Sequence, residues 1–140
     1  MRGAGSRGNA KPKMDWTRQV SRLAVFANGR YNGRTLVEWV PDIVSRLVQH
    51  FDPEKIILFG SVARGEAGRD SDVDLLVVLP EVANRRRTGA ELRIACQDIP
   101  VPMDLIPVGR EELAEQALLP GSVVGAALRE GKAIYERENT

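Results

Sequence analysis

The sequence predicts a single α+β domain in which short strands alternate with helices. Three observations carry this. Apolar residues follow helical spacing from Leu36 to Phe51; three short apolar runs, Lys55–Phe59, Val73–Leu79 and Val101–Ile106, are bounded by glycine, proline or aspartate in the manner of buried strands. The length of 140 residues suits one well-packed core and is too short for two.

Taken in order, residues 1–32 are rich in Gly, Arg and Asn, and only Trp16, Val20, Leu23, Val25 and Phe26 offer a short helix. We read this stretch as a basic, flexible N-terminal extension and place the domain at 33–140. Leu36, Val40, Ile43, Val44, Leu47, Val48 and Phe51 share a helical face, but Pro41 interrupts it. Proline suits a first turn and breaks an interior, so the main helix is predicted from Pro41 to about His50. His50 then sits where a histidine complements the helix dipole.

Lys55–Phe59 is the first strand, ended by Gly60. Ser61–Glu66 has room for one or two helical turns, Gly65–Ser71 is a loop by composition, and Val73–Leu79 is a second strand stopped by Pro80. Arg85 to about Asp98 reads as a helix weakened by Gly89. Val101–Ile106 reads as a third strand whose flanking Pro100 and Pro107 favour an edge position. Glu111–Leu118 reads as a helix, Pro120-Gly121 breaks it, and Ser122 is placed to cap a last helix to about Glu130. There is no internal repeat.

Hydrophobic residues make up 43% and charged residues 28% of the chain, which argues against wholesale disorder and against a fibrous repeat. No apolar run approaches the roughly 20 residues of a bilayer span, and no apolar stretch follows the N-terminal basic residues as a signal peptide requires. One cysteine, Cys96, excludes an internal disulfide, and no Cys/His cluster could hold zinc; a cytoplasmic protein without membrane association is expected. The net charge of +1 hides a split: residues 1–40 carry eight Lys/Arg against two Asp/Glu, and residues 41–140 carry twelve against seventeen. Because a Gly-rich basic leader is more often a solvated tail than a nucleic-acid arm, nucleic acid is not the expected partner.

The chemistry concentrates in Gly60-Ser61-Val-Ala-Arg64-Gly65 and Ser71-Asp72-Val73-Asp74. Asp72 and Asp74, at i and i+2 of a strand, point to one face about 6 to 7 Å apart along the backbone. Two carboxylates so placed repel, and hard oxygen donors at a strand end are a natural setting for Mg²⁺. Asp104 stands in the apolar run Val101-Pro-Met-Asp-Leu-Ile106, where an unpaired charge is costly unless it faces the same cation. Three carboxylates suffice for two ions, and two ions suit in-line displacement at phosphorus. Gly60 permits a sharp turn and close ligand approach, Ser61 and the amides after it can hold phosphate oxygens, and Arg64 can add a charged contact.

Plainer explanations fit these residues less well. Turn chemistry explains Asp72 alone but neither Asp74 nor Asp104. An EF-hand fits Asp70, Asp72, Asp74 and Glu81 but fails at Leu75, where the loop needs glycine. Gly60-x4-Gly65 opens like a P-loop, yet Glu66 stands where that motif needs lysine. Arg85-Arg86-Arg87 reads as a solvated helix start, Cys96 as core, and Trp39 and Tyr135 as packing residues.

The tracts Phe59-Gly-Ser-Val-Ala-Arg-Gly-Glu66 and Ser71-Asp-Val-Asp-Leu-Leu-Val77, with a distant Asp104, resemble the DNA polymerase β superfamily of nucleotidyltransferases, and most closely its minimal (MNT-domain) members. The similarity runs loosely from Pro41 to Tyr135. It implies a short mixed β-sheet flanked by helices, with Asp72, Asp74 and Asp104 as ligands of two Mg²⁺ ions and Asp104 also as base. It implies that Gly60 and Ser61 hold the triphosphate of ATP, with Arg64 and Ser71 completing the expected nucleotide-binding set. It further implies an antitoxin that transfers AMP onto a HEPN-domain toxin. The chain departs from the pattern in its short connection between the second and third strands, in Arg85–Arg87, in its basic leader, and in lacking the further domain with which larger relatives bind acceptors. Two alternatives stand beside this: a degenerate module that neutralises its partner by occlusion, and a transferase acting on a small molecule or nucleic acid.

Overall fold

The computed structural model describes residues 26–27 and 29–138. A short hairpin, β1 (Phe26–Ala27) and β2 (Arg30–Tyr31), leads into α1 (Leu36–Phe51). Then follow β3 (Lys55–Phe59), the four-residue α2 (Gly60–Ala63), β4 (Val73–Leu79), α3 (Arg85–Ala95), β5 (Met103–Gly109), α4 (Arg110–Gln116), α5 (Val123–Glu130) and β6 (Lys132–Glu136). The last four strands form one mixed sheet in the order β5-β4-β3-β6. In it β3 is antiparallel to β4 and β6, and β4 is parallel to β5 through a crossover that contains α3. This is the predicted α+β architecture of a short mixed sheet flanked by helices.

Side-chain alternation gives the sheet two apolar faces. On one, Ile56, Leu58, Leu75, Val77, Leu79 and Leu105 pack with Leu36, Val40, Ile43 and Leu47 of α1 and Leu92 of α3. On the other, Ile57, Leu76, Val78 and Val108 meet Val124 and Ala127 of α5, with Leu113 of α4 at the margin. Arg46 ties α1 to the end of the crossover, pairing with Asp98 and donating to the Ala95 carbonyl at 2.8 Å. Cys96 is core, as expected, and burial pushes its thiol up to about 11, so it stays protonated at neutral pH.

β3 and β4 fall where the apolar runs predict. Helix α1 is longer than expected, since it begins at Leu36 and carries Pro41 inside it. An interior proline costs about 3 kcal/mol. Against this, Leu36 and Val40 are each buried, worth about 1.5–3 kcal/mol apiece. Thr35 adds a full capping box: its side chain accepts from the Glu38 amide, and Glu38 accepts from the Thr35 amide at 2.7 Å, worth about 1 kcal/mol. Burial and cap together exceed the proline penalty.

The third strand is shifted, spanning Met103–Gly109 where Val101–Ile106 was expected. Pro107 lies within it, and the expected edge position explains how: β5 pairs with β4 alone, so one side of its backbone needs no partner. β6 was not anticipated. Its residues are exposed or half-buried throughout, so no apolar alternation marks them.

Of the short helix expected over Trp16–Phe26, only Phe26 is described, and it lies in β1; the other four residues lie outside the described residues. The hairpin falls within the stretch read as an extension, yet Tyr31 is only 6% exposed and belongs to the core. It is held there by Trp39, whose indole N–H donates to the Tyr31 carbonyl at 2.8 Å, and by Arg34, which stacks on the Trp39 ring at 4.0 Å and pairs with Asp42 at 2.8 Å.

Candidate active site

The site lies where the second apolar face of the sheet runs out. Asp74 is directly opposite Phe59 on β3 and Asp104 on β5, so Phe59, Asp74 and Asp104 form one row across three strands. The next row inward, Ile57, Leu76 and Ile106, is apolar. Asp72 precedes β4 by one residue and lies two before Asp74, on the same face. Strand register alone therefore turns the three expected carboxylates to one face at the open rim of the sheet.

Their environments differ. Asp72 and Asp74 are half-buried, and Asp104 is exposed on the edge strand. Asp74 is pushed up to about 6, first by burial, then by the charge of Asp72 and a hydrogen bond shared with it, and further by the charge of Asp104; Arg64 opposes the shift. A carboxyl raised by a neighbouring carboxylate marks two crowded oxygen donors whose repulsion a hard divalent cation would relieve, so the residues present fit Mg²⁺. Among the described residues, however, no three acidic, histidine or cysteine side chains close into a ready-made metal cage. Asp104 shares the face and the row without yet converging on the pair.

Gly60 stands at φ +78°, a backbone conformation that disfavours any other residue. Its neighbour imposes a second constraint: a Cβ at this position would overlap the Asp74 carboxylate oxygen and lie 3.1 Å from its Cγ. The glycine expected to admit a ligand thus also admits Asp74. After it, α2 starts without a side-chain cap, which leaves its first amides available. The half-buried Ser61 hydroxyl donates to Ser71 Oγ at 2.9 Å, and Ser71 Oγ also accepts from the Gly68 amide at 2.8 Å. Gly60, Ser61 and Ser71 are therefore brought together beside Asp72 and Asp74. Arg64 is exposed and pairs with Glu66 at 3.0 Å, close enough to Asp74 to influence its titration.

Two further residues border the site. Phe59 caps the carboxylate row on its β3 side. Tyr31 has its phenol pKa raised, first by burial and then by the charges of Asp70 and Asp72, which places it behind the loop that carries them. Between that loop and the start of α1 lies a cavity of about 440 Å³ lined by Tyr31, Leu36, Val37, Val62, Gly68 and Arg69. No sequence signal points to Tyr31, because the hairpin sits in a stretch that lacks apolar periodicity.

A mixed sheet whose acidic rim adjoins a Gly-Ser turn is the framework of a nucleotidyl-transfer protein. The nucleotidyltransferase domain family profile matches residues 37–131, and the chain belongs to that family, in line with its resemblance to the minimal members. A Sulfolobus solfataricus protein described as a nucleotidyltransferase, solved at 1.40 Å, shares the fold with a TM-score of 0.51 and 18% identity over 94% of each chain. A chain of a toxin–antitoxin crystal structure with AMP-PNP matches over 69% of this chain and 73% of its own, at 22% identity and a TM-score of 0.44, too low to bear on fold or function here. No curated protein matches. Among the described residues, no helix is long and apolar enough to cross a membrane.

Proposed function

We propose that this chain is a cytoplasmic, Mg²⁺-dependent nucleotidyltransferase that moves AMP from ATP onto a hydroxyl of a partner protein, acting as antitoxin to a HEPN-type toxin. The observation that carries the reading is the common face of Asp72, Asp74 and Asp104 beside Gly60-Ser61, in a chain of the nucleotidyltransferase family. The choice of acceptor and partner rests on the motif's resemblance to minimal nucleotidyltransferases. The exposure of Asp104 at the sheet edge supports an acceptor carried by another molecule.

In this mechanism Gly60, Ser61 and Arg64 hold the triphosphate, and Ser71 completes the set from behind Ser61. Asp72, Asp74 and Asp104 would hold two Mg²⁺ ions, which would supply neutralisation of phosphate charge and polarisation of the acceptor oxygen. The Asp104 carboxylate takes the acceptor's hydroxyl proton. The freed oxygen bonds to the α-phosphorus, the bond from that phosphorus to the oxygen bridging toward the β-phosphate breaks, and pyrophosphate leaves with the electron pair. Asp72 and Asp74, fixed by the start of β4, keep the α-phosphate in line with the acceptor.

The test is the intact mass of a candidate partner after incubation with the protein, ATP and Mg²⁺. One adenylyl group should be added by the native chain and none by Asp74→Asn or in excess EDTA; transfer that persists in either control overturns the reading. The open arrangement of the carboxylates favours one second reading, neutralisation by occlusion alone. An Asp72→Asn/Asp74→Asn chain that still neutralises its partner fully would select it.

A further inference from the structure

We infer that Ser71 is a positioning residue that aims the Ser61 hydroxyl at a phosphate oxygen and does not itself donate to the nucleotide, an inference that rests on the proposed function. Ser71 is tied to its loop twice: its amide donates to the Gly68 carbonyl at 3.1 Å, and its Oγ accepts from the Gly68 amide at 2.8 Å. Its Oγ also lies 2.9 Å from the Ser61 Oγ. Ser61 is anchored in turn, its carbonyl accepting from the Glu66 amide at 2.9 Å. Ser71 Oγ is thus fixed by a main-chain bond, and the Ser61 hydroxyl meets it from an anchored backbone.

A hydroxyl has one proton to give and two lone pairs to receive with, and two oxygens at hydrogen-bonding distance share one proton between them. In the ligand-free arrangement that proton belongs to Ser61, which donates to Ser71. A phosphate oxygen only accepts. For Ser61 to serve it, the Ser61 proton must turn outward, and Ser71 must rotate its own proton inward to donate to Ser61. Hydroxyl rotation achieves this without moving a heavy atom. The bound state then reads Gly68 amide to Ser71, Ser71 to Ser61, Ser61 to phosphate, and Ser71 has no proton left for the nucleotide. A chain of bonds aligned in one direction polarises each member, which strengthens the last one.

The test is a double-mutant cycle on the full chain, with MgATP binding measured by calorimetry and thermal midpoints checking the fold. Ser71→Ala should weaken binding roughly three- to tenfold, the scale of one hydrogen bond, and Ser61→Ala at least as much. Because both act through one contact, Ser61→Ala/Ser71→Ala should bind within about twofold of Ser61→Ala. Ser71→Thr, which keeps the hydroxyl, should recover binding to within about twofold of the native chain. If the two single losses multiply in the double variant, Ser71 contacts the nucleotide independently and the inference falls while the proposed function stands. A folded native chain that binds no MgATP removes the proposed function and the inference with it.

Discussion

Asp74 is the residue on which the site's electrostatics turn. Its carboxyl, held at about 6 by burial and by Asp72 and Asp104, lies well above its ordinary value of 3.8. A group raised on folding contributes stability below its unfolded pKa and loses it as pH rises through the folded one. The metal-free protein should therefore lose stability, on the order of 1 kcal/mol after solvent screening, between about pH 4 and pH 7. Asp74→Asn should remove that slope. Mg²⁺, which needs the deprotonated pair, should raise the thermal midpoint clearly at pH 8 and little at pH 5; equal shifts at both values would sink the assignment of Asp72 and Asp74 as ligands. The pair itself was legible in the sequence, because i, i+2 spacing in a strand fixes the face. What the spacing does not carry is the reason for Gly60, whose missing side chain is required by Asp74 across the β3–β4 ladder. That constraint is a tertiary contact and leaves no local mark.

At the level of elements, strands β3 and β4 could be read because they are buried apolar runs bounded by turn residues. The sequence predicts a shorter α1 because proline weighs heavily in any local rule, whereas the Thr35 capping box and the burial of Leu36 and Val40 hold the turn that precedes it. Pro41 is exposed, so Pro41→Ala leaves packing untouched. It should stabilise the protein by about 1–2 kcal/mol, the helix-interior penalty less the entropy that proline removes from the unfolded chain. Urea denaturation measures this, and a loss of stability would show that the proline sets a bend which the core requires. β6 is not legible in the sequence for the opposite reason. Lys132–Glu136 is a half-solvated edge with no buried stripe, and its existence depends on the exposed edge of β3. The end of β5 is not legible because Pro107 reads as a terminator unless the strand's edge position is already known.

For the whole molecule, the core extends back to the hairpin, since Tyr31 is buried against α1 and behind the loop that leads to Asp72. Tyr31→Ala should cost about 3 kcal/mol by cavity formation, read as a lowered denaturant midpoint, whereas a surface tyrosine would lose almost nothing. The fold class was legible because the order of helices and strands is a sum over many residues, each adding a little. The pairing of Asp74 with Asp104 was expected from their chemistry, and its geometry follows from a parallel ladder that no single stretch of sequence encodes. That ladder has a further consequence. Parallel strands are joined through residues 80–102, which leave one end of the sheet and return at the other, while register is set by β4 meeting β5 side by side. Insertions in the exposed stretch around residues 83–87 can therefore accumulate over generations with Asp74 and Asp104 still in step, while Leu92, Cys96 and Ile99 of the same crossover are held by the core. A slip of one residue inside either strand would send one of the two to the opposite face, so heritable variation has latitude in that exposed stretch and almost none in the ladder.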